Sequence, residues 1–486
     1  MNLNKRIIQA MAVILSLFLV LVFYLNYFLA FESKEYTRSI YNQRLYKAVR
    51  GSIYDRTGEV VLAKTTGEGR SQERVYPYGA LYADTVGHFS KTYGGKALEK
   101  RWDEVLTEIP SVMTMLNDKD KGMENKGQDL YLTLDHGLTQ HVDKVVKAQL
   151  QGKKNANIVV MNPKSGAVYC AYSSSSYDPN PAAMKEFISG GGVIDYQFDA
   201  VNEQFCPGST FKVVTAAAAI DNGLEDFEIN DETGVINVGG QPFGNDRGSD
   251  GNPKAMGVTD MHKAIVKSSN VYFTGISKEI GRKKMIEAFD KFYITKQIPF
   301  EKLNTIESGI VITGRNNNFV ITDDLYSADT AKMASASFGQ EPVKLSPLHM
   351  ALVVSAIANN GKMMQPYLVE YSKRANTVEN KAEKKVLSKA CSENAARIIR
   401  SAMIDCVEQG TGTKAKVSGI KFGGKTGTAQ VNGQTAHGWF IGFAPASNPQ
   451  IAFCVMVENG GYGGTVCSPI VREIVSYCNK NGFFAQ

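Results

Sequence analysis

"CPGSTFKVVTAAAAI", residues Cys206–Ile220, is the stretch on which the reading of this chain turns. Its body is alanine, valine and isoleucine, the composition of a helix buried on every side. Its start is different. Pro207-Gly208 signals the beginning of a helix and Asn222-Gly223 its end, which places Ser209 and Lys212 in the first turn. Residues three apart share a helix face, so a hydroxyl and an amine stand side by side there. Serine is a weak nucleophile until a base takes its proton. Lysine is such a base only when desolvation or a nearby cation lowers its pKa from about 10.4. The backbone N–H groups of a helix N-terminus point into the same space and suit a developing oxyanion. S-x-x-K is nevertheless a weak pattern that recurs at Ser418–Lys421, and Ser209 taken alone also reads as a helix cap.

Two further motifs shift the balance. Ser268-Ser269-Asn270 lies at a helix–helix junction, between "DMHKAIVK" and "VYFTGI". Its second copy, Ser392-Glu393-Asn394, fits instead the start of the helix "ENAARIIRSAMI". Lys425-Thr426-Gly427-Thr428 occurs once, in a glycine-flanked strand that precedes the apolar strand "HGWFIGFAP". A glycine inside a strand marks a place where a ligand or another backbone comes close.

Outward from these motifs the chain reads as globular, with 43% hydrophobic and 21% charged residues over 486 positions, enough for two or three cores. The net charge of +6 forms no basic stripe with interleaved aromatics, which argues against nucleic-acid binding. Ile7 to Phe31 is a run of 25 uncharged residues, long enough to span a bilayer. "YFLAF" puts Phe28 where a signal-peptide cleavage site needs a small residue, so the run reads as an uncleaved anchor. Lys5 and Arg6 precede it, which predicts residues 1–6 in the cytoplasm and the body outside. The seven cysteines lack C-x-x-C pairs and several sit in apolar runs, so they read as free, buried thiols. The six histidines are scattered without metal-ligand spacing, and no metal or cofactor is expected.

After the anchor (7–31), "GSIYDRTGEVVLA" predicts two short strands around a turn at Thr57-Gly58, and "ALEKRWDEVLTEI" a helix whose alternating charges face solvent. The charged, aperiodic stretch 117–129 marks the end of a membrane-proximal module, 32–127. The second body, 128–486, opens on the amphipathic helix "HGLTQHVDKVVKAQLQG" and two strands joined at Pro163–Gly166. Residues 229–257 read as hairpins or loops rather than core. Helices around 259–282 and 347–360, three C-terminal strands and a closing helix "SPIVREIVSYCNK" complete it. Helices flanking a mainly antiparallel sheet make the class α+β.

S-x-x-K, S-x-N and K-T-G in this order are the pattern of penicillin-binding proteins and serine β-lactamases. The chain resembles a class B, monofunctional penicillin-binding protein over nearly its whole length. "RGSIYDRTGEVVLA", "YPYGALYADTVGHFSKTYGGKALEKRWDEVL", "LYLTLDHGLTQ", "VVMNPKSGAVYCAYSSSSYDPN" and "LSPLHMA" are similar to that family's segments. Departures are serine in the variable slot of Ser268-Ser269-Asn270 and the looser "SFGQEPVKLSP". The resemblance implies a penicillin-binding, serine β-lactamase-like transpeptidase domain at 128–486 and a pedestal or dimerisation-type module at 32–127. It implies that Ser209 attacks the D-Ala-D-Ala end of a peptidoglycan stem peptide and that Lys212 takes its proton. Ser268 and Lys425 would carry the proton to the departing D-alanine and from the incoming amine. Thr426, Gly427 and Thr428 would hold the substrate carboxylate, Asn270 its backbone, and the N–H groups of Ser209 and Thr428 the oxyanion. β-Lactams would acylate the same serine, and a polytopic glycan polymerase of the shape–elongation–division–sporulation group would be the membrane partner.

Other readings stay open on sequence alone. A β-lactamase or D,D-carboxypeptidase would pass the acyl group to water, although the deacylating E-x-x-L-N stretch of class A lactamases is absent. A non-catalytic scaffold would keep the anchor and the proximal module without turnover. Arg50, Asp55 and Arg56 read as an ion-pair cluster, and His437 and Cys206 as packing residues.

Overall fold

The computed structural model describes residues 3–28, 49–67, 71–108, 126–193, 199–301, 303–306, 330–340 and 342–484. Most of the aperiodic stretch at 117–129 and the polar segment after the anchor lie outside them. Two compact units result: Met1–Gly51, Thr65–Glu73 and Glu104–Gln128 form one, and Ser52–Lys64, Arg74–Asp103 and Asp129–Gln486 the other.

The first unit contains α1 (Leu3–Tyr27), whose segment Lys5–Tyr27 is long and apolar enough to cross a membrane. From Ile7 to Tyr27 its large apolar side chains are exposed, Phe23 at 76%, an arrangement that suits hydrocarbon and not water. Elsewhere in this unit Gly51 N–H donates to Leu106 O at 2.9 Å and Val49 bridges Lys126.

The second unit begins with β1 (Ile53–Tyr54) and β2 (Val61–Thr66), antiparallel around the expected turn, where Gly58 takes φ +74°. Asp55 builds that turn: its Oδ1 accepts from Thr57 N–H at 3.0 Å and Thr57 Oγ1 at 2.6 Å. Arg56 reaches Asp135 at 3.5 Å and lies over the Tyr169 and Phe483 rings. After β3 (Glu73–Val75) come two short helices, α2 (Ala97–Arg101) and α3 (Asp103–Leu106), the last three residues of which belong to the first unit, in place of the one continuous helix expected. The expected solvated face holds at Lys100 and Glu104, which are exposed, and fails at Glu99. Glu99 is fully buried, paired with Arg74 Nε at 2.7 Å and bonded by Tyr76 OH at 3.2 Å. Lys96, equally buried, pairs with Asp84 at 2.6 Å. The spacing of charges shows which side chains alternate, but not that a buried partner waits for them.

Then follow β4 (Asp129–Leu132), α4 (His136–Leu150), β5 (Ala156–Met161) and β6 (Val168–Ser173). Asp135 caps α4 by accepting from Leu138 N–H, and Gln151 and Gly152 close it with positive φ. The central helix α5 (Lys212–Ile220) and the hairpin β7 (Val235–Val238) and β8 (Gln241–Gly244) precede α6 (Met261–Lys267) and α7 (Asn270–Lys291). The wholly buried α8 (Pro347–Ala358), β9 (Val369–Arg374), β10 (Thr377–Glu379) and α9 (Glu393–Gln409) come next. Last are β11 (Gly423–Val431), β12 (Gln434–Ala444), β13 (Ile451–Val457) and α10 (Ser468–Lys480).

Five strands in the order β11-β12-β13-β5-β6, all antiparallel, form the main sheet. Leu138, Val142, Ile470 and Ile474 of α4 and α10 pack with Ile158, Phe440 and Val455 in one core, and α8 packs against β12 and β13. Helices on both faces explain why "WFIGFA" and "IAFCVMV" run apolar without alternation. A second sheet, β10-β9-β4-β1-β2-β3, joins residues before and after position 127, and Tyr54, Tyr131 and Tyr371 stack across three of its strands at 5.0 and 4.7 Å. All seven cysteines are buried free thiols.

The Arg74–Glu99 pair has a measurable role. Glu99→Ala should cost about 3–5 kcal/mol, because it removes the carboxylate that accepts from Arg74 Nε inside the protein. The apolar double replacement Arg74→Met/Glu99→Leu should recover most of that loss. Thermal unfolding of the three variants checks both statements.

Candidate active site

The expected first α-helical turn at Ser209 is a 3-10 turn, Gly208–Phe211, with α5 beginning only at Lys212. The cause lies in its neighbours. Gly208 adopts φ +56°, donates its N–H to Gly339 O at 2.8 Å, and lies so close to β11 that a Cβ would stand 2.6 Å from Thr428 O. Thr210 Oγ1 ties back to Pro207 O at 2.7 Å. A 3-10 turn stacks positions three apart directly over one another, so Ser209 and Lys212 remain on one side. The rest of α5 is buried throughout, including Lys212 itself.

Lys212 Nζ donates to Ser268 O at 2.7 Å, Ser268 Oγ at 3.2 Å and Asn270 Oδ1 at 2.7 Å. Those three bonds use all the protons of an ammonium group. Among the described residues none goes to Ser209, whose partly exposed hydroxyl faces the cleft. Ser268 is the left-handed C-cap of α6, at φ 62° and ψ 44°, and Ser269 the N-cap of α7. That tight junction turns both the carbonyl and the hydroxyl of Ser268 towards Lys212. From the opposite side Lys425 Nζ donates to Ser268 Oγ at 2.9 Å and to Thr426 O at 2.9 Å. With both lone pairs of Ser268 Oγ engaged, its own O–H is left to donate.

Both lysines are fully buried. Burial is the main cause that drives the Lys212 pKa well below the usual lysine value, with the charge of Lys425 adding to it and Asp246 opposing. Burial also lowers Lys425, against the pull of Cys406 and Asp246. One amine near a hydroxyl and one more behind it can pass protons along Lys212–Ser268–Lys425.

β11 is an edge strand, so its outer backbone groups face the Ser209 turn instead of another strand. Gly427 allows that approach: a Cβ there would meet Pro207 O and Thr210 Cγ2, each at 2.9 Å. Thr426 Oγ1 bonds Thr411 Oγ1 at 2.6 Å, and Thr428 Oγ1 accepts from Gly463 N–H at 3.3 Å. Ser209, Ser268, Asn270, Thr426, Gly427 and Thr428 thus line one cleft of about 730 Å³, with Lys212 and Lys425 beneath it. His437 also lines the cleft, packed edge-on to Phe205 at 5.1 Å and accepting from Asn459 N–H. Burial lowers its pKa, which makes it a neutral packing residue at pH 7. The duplicate motifs lie elsewhere: Ser392 caps α9 through Ala395 N–H, and Ser418 and Lys421 are exposed.

A family model described as the penicillin-binding protein transpeptidase domain matches residues 156–476, and one for the penicillin-binding protein A dimerisation domain matches 50–130. The chain belongs to the penicillin-binding protein transpeptidase family. Among this family's members, the peptidoglycan D,D-transpeptidase PbpA of Mycolicibacterium smegmatis is 28% identical over 91% of this chain and 92% of its own. Penicillin-binding protein A of M. tuberculosis, solved as a ceftriaxone acyl-enzyme complex, matches at a TM-score of 0.78 with 26% identity, covering 89% of this chain and 98% of that one. The D,D-transpeptidase domain of a peptidoglycan glycosyltransferase from Eggerthella lenta matches at 0.75 with 28% identity, covering 90% and 100%. The fold is therefore that of penicillin-binding transpeptidases.

Sequence reasoning missed Asn245, only 5% exposed within a stretch taken for loop. Its Oδ1 accepts from the N–H groups of Asn270 at 2.8 Å and Val271 at 3.1 Å, and its Nδ2 donates to Asp231 at 2.7 Å. A lone asparagine among Gly, Asn and Asp gives no periodic signal. Nothing in the pattern separates it from its solvent-facing neighbours.

The depressed lysines carry a pH signature. A lysine with a folded pKa below its unfolded value binds fewer protons folded than unfolded between the two. Stability must therefore rise with pH through that interval, up to the ordinary value of about 10.4. Urea unfolding of wild type minus Lys212→Met, measured from neutral pH upward, should show this rise.

Proposed function

We propose that this member of the family is a peptidoglycan D,D-transpeptidase that works through a Ser209 acyl-enzyme and is acylated by β-lactams at the same residue. The observation that carries the reading is the shared hydroxyl of Ser268 between two buried lysines, beside a serine in a glycine-bounded turn. Lys212, once neutral, takes the Ser209 proton as the hydroxyl attacks the penultimate D-alanine carbonyl. Ser268 and Lys425 pass a proton to the leaving D-alanine. The N–H groups of Ser209 and Thr428 receive the oxyanion, and Thr426 and Thr428 receive the substrate carboxylate with Gly427 giving it room. Asn270, whose Oδ1 holds Lys212 and whose Nδ2 donates to Gly244 O at 2.7 Å, orients the base and borders the substrate backbone. A stem-peptide amine then accepts the acyl group.

Fluorescent penicillin should label the wild type covalently and should not label Ser209→Ala. A folded wild type that stays unlabelled overturns the reading. The labelling rate should climb with pH as Lys212 loses its proton, with its midpoint below the ordinary lysine value of about 10.4. Lys425→Ala removes a cation that holds that pKa down, so the midpoint should move to higher pH.

The span Lys5–Tyr27 behind two N-terminal cations supports an anchor with residues 1–6 cytoplasmic and the catalytic body, 128–486, on the far side. Residues 32–127 serve as the membrane-proximal module. A polytopic glycan polymerase is the partner that such an anchor suits. Substitutions in Ile7–Tyr27 should leave penicillin labelling intact and abolish co-purification with the polymerase; unchanged co-purification counts against the partnership.

A further inference from the structure

The cleft holds its charges at two depths. Beneath it lie the amines of Lys212 and Lys425, while its wall carries Lys344 and Asp246, the one carboxylate that lines it among the described residues. Asp246 is exposed, and its side chain makes no hydrogen bond or ion pair among those residues. Its position is nonetheless fixed. The preceding Gly244 O accepts from Asn270 Nδ2, and Asn245 is the buried hub that accepts from the α7 N-terminus. Asp246 O accepts from Lys254 N–H at 3.1 Å. Its carboxylate lies near enough to Lys212, Lys425 and Tyr462 to act on the charge of each. Lys212 spends its three donors on Ser268 and Asn270, and Lys425 bonds Ser268 and Thr426, so the Asp246 oxygens keep their acceptor capacity for a ligand.

A built carboxylate that faces a cleft with free acceptor capacity suits a cation. The donor peptide ends in a carboxylate and is repelled by it. An acceptor amine of the lysine type, with an ordinary pKa of about 10.4, is protonated at neutral pH, and it approaches a floor built on two lysines. We propose that Asp246 is the specificity-determining residue that binds the protonated acceptor amine at the mouth of the cleft, so that the acyl-enzyme is delivered to an amine rather than to water. The inference rests on the transpeptidase reading above. Asp246 draws the ammonium in and concentrates it in the cleft that Ser209 lines; the ammonium loses one proton to solvent, its nitrogen bonds to the ester carbonyl while neutral Lys212 takes a second proton, and that proton passes to Ser209 Oγ as the carbonyl–Oγ bond breaks. Water carries no charge for Asp246 to hold, so hydrolysis gains nothing from it.

The test compares two nucleophiles on one acyl-enzyme. The full-length protein is acylated with an N-acyl-D-alanyl-thioglycolate thioester, and thiol release reports acylation. Products are then partitioned among hydrolysis, Nα-acetyl-lysine amide, which is cationic at neutral pH, and hydroxylamine, which is not. In Asp246→Asn, transfer to the lysine amide should fall about fivefold, near the upper range for one exposed ion pair. Transfer to hydroxylamine should hold, and Asp246→Glu should restore the cationic preference. Comparing two amines cancels any change that the substitution makes to the buried lysines. Equal losses with both amines, or none with either, would overturn the proposal while leaving the transpeptidase reading intact. A wild type that releases no thiol would sink both.

Discussion

One hydroxyl, Ser268 Oγ, accepts from two fully buried lysine amines, and the site is arranged around that fact. A lysine removed from water without partners is costly enough to lose its charge. Here each amine is given acceptors by a different device. The left-handed cap at Ser268 turns a carbonyl and a hydroxyl to Lys212 at once, and Asn270 adds a third acceptor. Lys425 finds the carbonyl of its own neighbour, Thr426. The charges are thereby kept soluble in the interior yet held where a proton is easily lost.

Such precision needs elements that do not shift. The two lysines meet Ser268 across 56 and 157 residues of chain, so only tertiary packing can hold them within hydrogen-bond reach. α5 is buried on all sides, and β11 is fixed along its length by β12. Two glycines then bring these rigid parts together. Gly208 and Gly427 each occupy a place where a single methyl group would strike the facing backbone. Asn245 locks the third part, the α6–α7 junction, to the hairpin loop beside it. A displacement of about 1 Å can cost roughly a hundredfold in rate, which is why close packing and not flexibility surrounds the reactive end.

The legible part of this architecture was the part that leaves a period or a motif. The long apolar N-terminal helix, the α4 helix, the strands of "GGKTGTAQ", "HGWFIGFAP" and "QIAFCVMVEN", and the helix junction at Ser268-Ser269 could all be read from spacing. So could the choice between Ser392 as a cap and Ser268 as a site residue, because one begins a helix and the other ends one. What escaped depends on long-range partners. Glu99 has the same local pattern as a solvated glutamate, and only Arg74 and Tyr76 in the fold reveal it as buried. The 3-10 geometry at Ser209 comes from Gly339 and Thr428, which lie far along the chain. β9, which adds to the sheet of β1 and β4, gives no hint in its own sequence of which strands it joins.

A transpeptidase on this plan faces opposite electrostatic demands in one cleft. The donor carboxylate and the oxyanion call for positive charge, while the acceptor ammonium calls for negative. Depth separates the two buried lysines from Asp246, which shares the cleft wall with Lys344. Charges buried under the cleft act through a low dielectric, where the Coulomb energy of a unit pair is several times that in water. A carboxylate at the exposed mouth is screened within about 8–10 Å at physiological salt, so it attracts locally without cancelling the field below. Asp246 opposes the lowering of both lysine pKa values, yet burial and mutual repulsion outweigh it at Lys212. The same carboxylate can therefore welcome a cation without re-protonating the base that the reaction depends on.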